Sequence, residues 1–234
     1  MSSKDTNEPR DEAVVADLRA ARAAADRPTP ADGHRLPGGG IVPGPTLAAA
    51  IEEWRQRVNE NPSDVDARVN LAYVLEQSGR ADAALQEITR ALELAPDTVS
   101  LLVHRASILT SRLRYDQAEA DLRRAMRLQE NNVEVLIAMG ILACRRGRWR
   151  DAVEPLKRAV EQDPQNATAH FYLGETYNHL DQLPAALSAY EAAAALQPDN
   201  WRAFKAIGIV LDRLRRPEEA AAAYRQAIEL QRRA

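Results

Sequence analysis

Residues 167–200 read ATAHFYLGETYNHLDQLPAALSAYEAAAALQPDN. Leu173, Gly174 and Tyr177 fall at helical spacing. A second stripe follows, with Ala186, Tyr190 and Ala193. Spacings of three and four residues place such groups on one helix face. Pro198 then stops the second helix, because proline lacks the N–H donor and clashes with the preceding turn. The stretch predicts two antiparallel helices joined by a tight turn.

The same plan repeats at a step of 34 residues. Pro62, Pro96, Pro164 and Pro198 share one place, with Glu130 on the missing rung. Ala84, Ala118, Ala152, Ala186 and Ala220 share a second; Ala91, Ala125, Ala159, Ala193 and Ala227 share a third. Ala72, Ala106, Gly140, Gly174 and Gly208 form a column of small residues in the first helices. An alanine-rich chain gives isolated matches by chance, but not four columns in one register. Small residues let helix axes approach while larger neighbours fill the grooves. A fixed period of this length means one supersecondary unit stacked on itself.

The pattern Leu173-Gly174-x-x-Tyr177, Ala186-x-x-x-Tyr190, Ala193, Pro198 resembles the tetratricopeptide repeat. That resemblance implies an all-α fold, a right-handed α-solenoid of stacked antiparallel helix pairs. Five repeats are expected at 65–98, 99–132, 133–166, 167–200 and 201–234. Residues 46–64 are expected to form a capping helix, a half repeat with Thr46 as N-cap. Two positions depart from the family pattern: Arg105 replaces an apolar residue, and Glu130 replaces a proline and is expected to loosen its junction. Pro155, inside a second helix, is expected to kink it.

Residues 1–45 differ in composition. The run from Arg27 to Pro45 is rich in proline and glycine and reads as a flexible tether. Before it, 11–26 carries Val14, Leu18, Ala21 and Ala25 on one side. This reads either as a short docking helix or as a fluctuating helix, since isolated helices of this length are marginal.

Composition narrows the function. The net charge is −3 and evenly spread, which argues against a general nucleic-acid or anionic-membrane binder. A single cysteine, Cys144, precludes an intrachain disulfide. No apolar run is long enough to span a membrane, and the first residues lack a secretory signal. A cytoplasmic protein is expected.

The family resemblance also implies where a partner would lie. Family members bind extended peptides or helices on the concave face lined by first helices. Carried across repeat by repeat, the groove positions are Val69, Asn70 and Tyr73; Val103 and His104; Ile137, Ile141 and Arg145; Phe171, Tyr172, Glu175 and Asn178; and Lys205. Aliphatic and aromatic groups with scattered polar ones suit such ligands, with Phe171 and Tyr172 as anchors. The same positions equally suit packing between repeats, Phe171 above all. The chaperone-carboxylate clamp of some members is disfavoured, because Val69, Tyr73, His104, Glu134 and Ala138 stand at its positions. The expected function is a non-enzymatic adaptor whose partner is another protein, without cofactor, nucleic acid or membrane. The alternative is a self-associating spacer. No helix follows the last pair, so Ala221, Tyr224 and Ile228 are expected to stay partly uncovered and to allow a homodimer.

Arginines mark the turns within each pair: Arg80, Arg114, Arg148 and Arg216 share one place. One reading is a basic ridge for an acidic or phosphorylated partner. The plainer reading is helix-end chemistry, with cations at C-termini and acids at the following N-termini. The cluster Arg145–Arg150, with Trp149 inside it, stands apart. Catalysis finds little support. His34, His104, His170 and His179 form no metal-ligand spacing within a helix. Cys144 has Arg145 and Arg146 beside it, yet reads as an inert thiol because adjacent helical residues point apart.

Overall fold

The computed structural model describes residues 46–233 and, for the backbone alone, 34–35 and 41–42. The helix expected at 11–26 and most of the tether lie outside these residues. Two short strands, β1 (His34–Arg35) and β2 (Ile41–Val42), pair antiparallel with His34 opposite Val42. The tether reading did not anticipate this pairing. Ile41 and Val42 are β-branched and favour extended backbone.

The helices divide into two compact units, one ending at Arg112 and one starting at Leu113. The first holds α1 (Leu47–Glu60), α2 (Val65–Gln77), α3 (Ala81–Leu94) and α4 (Val99–Ser111). The second holds α5 (Tyr115–Leu128), α6 (Val133–Arg145), α7 (Trp149–Gln162), α8 (Ala167–His179), α9 (Leu183–Leu196), α10 (Trp201–Arg213) and α11 (Pro217–Arg233). Within each unit consecutive helices pack as neighbours, giving the all-α repeat architecture read from the period. α7 runs through Pro155 without interruption.

The columns of the sequence are columns of the core. Ala84, Ala118, Ala152 and Ala186 are fully buried, as are Ala91, Ala125, Ala159 and Ala193. The glycine column serves close approach. A Cβ on Gly174 would lie 2.8 Å from the ring of Tyr190, and one on Gly208 would lie 2.6 Å from the ring of Tyr224. In these two repeats the ring of the second helix therefore seats directly on the backbone of its partner helix, and Leu156 takes that place against Gly140.

Two further columns emerge only in three dimensions. Asp64, Asn132, Asn166 and Asn200 cap the first helices, each side chain accepting a main-chain N–H of the first turn. Gly79, Leu113, Gly147, Asp181 and Arg215 all adopt positive φ, between 60° and 75°, in the turn inside each pair. Glycine fits that region without cost, and the other three do not.

The loops between pairs are tied by polar side chains. Arg68 donates to the main-chain oxygen of Pro62 at 2.7 and 3.0 Å, and also meets Glu87 at 2.7 Å in a largely buried ion pair. His170 contacts the oxygen of Pro164 at 3.0 Å from the same place in its repeat. At Glu130, where proline is missing, Arg158 reaches the main-chain oxygen at 3.3 Å and Asn131 at 2.6 Å. The loop expected to be loosened is thus tied by α7.

Candidate functional site

In the second unit α8 and α10 lie side by side and border an open depression of about 330 Å³, lined also by Tyr190 of α9. Its apolar lining is Phe171, Tyr190, Trp201, Ala206 and Ile209. Its polar lining is Glu175, Asn178, His179, Arg202 and Lys205. Helical spacing explains the convergence: Phe171, Glu175 and Asn178 follow one face of α8, while Arg202, Lys205 and Ile209 follow one face of α10.

Aromatic packing builds the floor. Phe171 and Tyr190 meet edge to face with centroids 5.4 Å apart, and Tyr190 is buried. Burial and the nearby charge of Glu175 push the Tyr190 hydroxyl above its ordinary range, so it stays a neutral phenol. At the rim the Arg202 guanidinium lies 5.5 Å from the centroid of Trp201, and Ile209 is 40 % exposed. Lys205 is exposed on the same face. The site is therefore concave, mainly apolar and edged by cations, with one carboxylate inside.

One side of the pocket is locked. Arg213 donates to the main-chain oxygen of Asn178 at 2.8 Å, to its side-chain oxygen, and to Asp181 at 2.6 Å. His179 lies flat on Trp149, with centroids 3.7 Å apart and planes 4° from parallel.

The other residues expected at the groove have different surroundings. Tyr172 is half-buried and packs on the cluster of Cys144, Ala152, Leu156 and Leu173. Ile141 is half-buried against the cluster of Leu136, Ile137, Ala159 and Ala169. Ile137 itself is buried, as is Val69 in the first unit, so both offer little surface. Arg145 is exposed. In the first unit Asn70 donates to the main-chain oxygen of Asp66 at 2.9 Å, and Tyr73 and Val103 are half-buried. His104 Nε2 meets Glu76 at 2.5 Å. At α11, Ala221 is exposed and Ile228 is 51 % exposed. Tyr224 is half-buried, packs on Gly208 and donates to Asp212 at 2.8 Å.

Sequence reasoning did not place Tyr190, Trp201 or Ala206 at the groove. Trp201 is the first residue of α10, outside the positions that the resemblance assigns to the groove. Tyr190 was read as packing alone, yet its ring also reaches the pocket.

The reactive candidates are quiet. Cys144 is buried and its Sγ lies 3.3 Å from Thr176 Oγ1. Burial pushes its pKa up to about 11, outweighing the hydrogen bond with Thr176. Among the described residues no group of three or more His, Cys, Asp or Glu is placed to hold a metal ion. No helix among them is long and apolar enough to cross a membrane.

Two family profiles described as tetratricopeptide repeat match the chain, one at residues 137–200 and 180–234 and the other at 46–99. The chain belongs to the tetratricopeptide repeat family. That membership makes it a protein–protein interaction scaffold. Solved structures share the fold. A crystal structure of MamA is 21 % identical with a TM-score of 0.59, over 70 % of this chain and 95 % of that one. YrrB, titled a TPR protein with an unusual peptide-binding site, is 24 % identical with a TM-score of 0.55, over 78 % and 94 %. The Cut9–Hcn1 structure is 18 % identical with a TM-score of 0.72, over 79 % of this chain but 37 % of that one. No curated protein sequence matches the chain.

Proposed function

We propose that this protein is a non-enzymatic adaptor that holds a peptide or helix of a partner protein against α8 and α10. The observation that supports this most is the pocket itself. It presents Phe171, Trp201 and Ile209 to solvent beside Arg202, Lys205 and Glu175, which is the mix expected of a site that anchors one apolar side chain and orients polar ones. YrrB's peptide-binding site is a precedent for the fold. The reading centres on this pocket because it is where several of the expected groove residues converge, whereas Ile137 is buried.

The test begins with a display library of random twelve-residue peptides selected on the whole chain. Enriched peptides are then titrated against the parent and an Ile209→Glu variant by fluorescence anisotropy. Ile209 is exposed, so the variant keeps its fold. Affinity should fall at least tenfold; peptides that bind the variant as well as the parent count against the pocket.

A second reading, self-association, draws support from Ile228, an apolar side chain more than half exposed on α11 beside exposed Ala221. Light scattering over a range of concentrations, with Ile228→Glu as control, separates the two. A mass that stays monomeric throughout removes the second reading.

A further inference from the structure

Arg145, His179 and Arg213 occupy one place in three successive repeats, in the last turns of α6, α8 and α10. Arg213 is held by Asn178 and Asp181. His179 lines the pocket and stacks on Trp149, which stands between Arg148 and Arg150. The stack thus joins the pocket to the turn between α6 and α7, where Arg145, Arg148 and Arg150 cluster.

Of the other turn arginines, Arg112, Arg146 and Arg216 are paired with acids, whereas Arg80 and Arg215 have no ion pair among the described residues and Arg114 donates only to Gln117 at 2.6 Å. Arg112 meets Asp82 at 3.0 Å, Arg146 meets Asp116 at 3.0 Å and Glu119 at 2.5 Å, and Arg216 pairs with Glu219. The next member of the Asp82 and Asp116 column is Arg150, and the next of the Arg112 and Arg146 column is Leu180. The ion pair is therefore absent at this step, as it is at the following one, where Pro184 and Leu214 stand; only here does a base take the acid's place. Arg145, Arg148 and Arg150 are exposed and have no ion pair among the described residues. The helix dipole explains a cation at the end of α6, but it disfavours Arg150 in the first turn of α7, which otherwise carries Asp151. Stability alone does not account for a base there. On the pocket side of the stack two cations, Arg202 and Lys205, stand beside one carboxylate, Glu175.

We propose that Arg145, Arg148 and Arg150 take an acidic run of the same partner polypeptide whose apolar side chain fills the pocket. This rests on the pocket reading above and adds a charge requirement to it. The ligand is read in two parts, an apolar anchor and, beyond the Trp149–His179 stack, carboxylates or phosphates in one chain. Charge at the edge then sets register and association rate.

Selected peptides supply the probe. Each enriched peptide is titrated twice, once intact and once with its Asp and Glu changed to Asn and Gln, against the parent and an Arg148→Glu/Arg150→Glu variant. We expect enrichment of acids next to an apolar residue, about a tenfold loss for the intact peptide on the variant, and no change for the neutralised peptide. Peptides that need Ile209 but lack acids and bind the variant unchanged overturn the proposal and leave the pocket standing. Peptides indifferent to Ile209→Glu overturn both. A 20-nucleotide single strand that binds the parent but not the arginine variant, alongside peptides without acids, overturns it in favour of nucleic acid.

Discussion

The ring of Tyr190 rests on the backbone of Gly174, where a single added carbon would come within 2.8 Å of it. That contact fixes the spacing of α8 and α9 and so the depth of the pocket floor. Gly174→Ala gains helix propensity of about 1 kcal/mol but forces a buried ring to move, which costs roughly 1–3 kcal/mol. The net expectation is a loss of up to about 2 kcal/mol in urea unfolding, with weaker peptide binding. An unchanged midpoint would show that the ring has room to yield.

The left-handed turn positions make a second prediction. Leu113 and Arg215 sit at φ 60° and 62°, where glycine carries no steric penalty. Leu113 is 71 % exposed, so little packing is lost on its removal. Leu113→Gly and Arg215→Gly should each stabilise by about 0.5–1 kcal/mol, raising Tm by roughly 1–4 °C. Asp181→Gly should gain less, because Asp181 receives Arg213. A fall in Tm for Leu113→Gly would contradict the strain argument.

The Arg68–Glu87 pair predicts a non-additive cycle. Both side chains are about nine-tenths buried, and Arg68 also serves the oxygen of Pro62. Arg68→Met should cost about 3 kcal/mol, since it strands a buried carboxylate that keeps only Arg90. Arg68→Met with Glu87→Leu should recover a good part of that loss. Strict additivity of the two changes in denaturant unfolding would refute the coupling.

Cys144 gives a pH prediction with a definite sign. Its folded pKa is raised from 9.0 to about 11, so the unfolded chain ionises first as pH rises. The thiol's contribution to stability is intact below about pH 9 and is lost progressively as pH climbs through 11. Cys144→Ala should flatten that part of the stability profile. Iodoacetamide should label the native chain far more slowly than the urea-unfolded chain at pH 8. Equal rates would mean that the thiol is open to solvent.

The fold was legible because its signals are periodic. Five ladder alanines and three glycines register with each other, and any one of them alone would say little. The Asp64, Asn132, Asn166 and Asn200 caps were equally periodic but passed unread, since attention fell on apolar columns. Leu113, Asp181 and Arg215 hid a turn that glycine marks only at 79 and 147, because the turn's geometry is imposed by the helices on either side. The pocket was half legible. Phe171, Glu175, Asn178 and Lys205 were anticipated from the family's groove positions. Trp201 was not, and Tyr172, half-buried like Phe171, packs on a different cluster and does not line the pocket, because whether a side chain enters a gap depends on how neighbouring helices pack, which spacing does not encode. The ion-pair switch at Arg150 was invisible until Asp82 and Asp116 could be seen holding arginines.

Hydrogen–deuterium exchange of the whole chain, with and without a selected peptide, tests the central claim most directly. Bound peptide should slow amide exchange in 167–179 and 201–213, the segments that form α8 and α10. Protection confined to α11, or no protection in either pocket helix at saturating peptide, would contradict it.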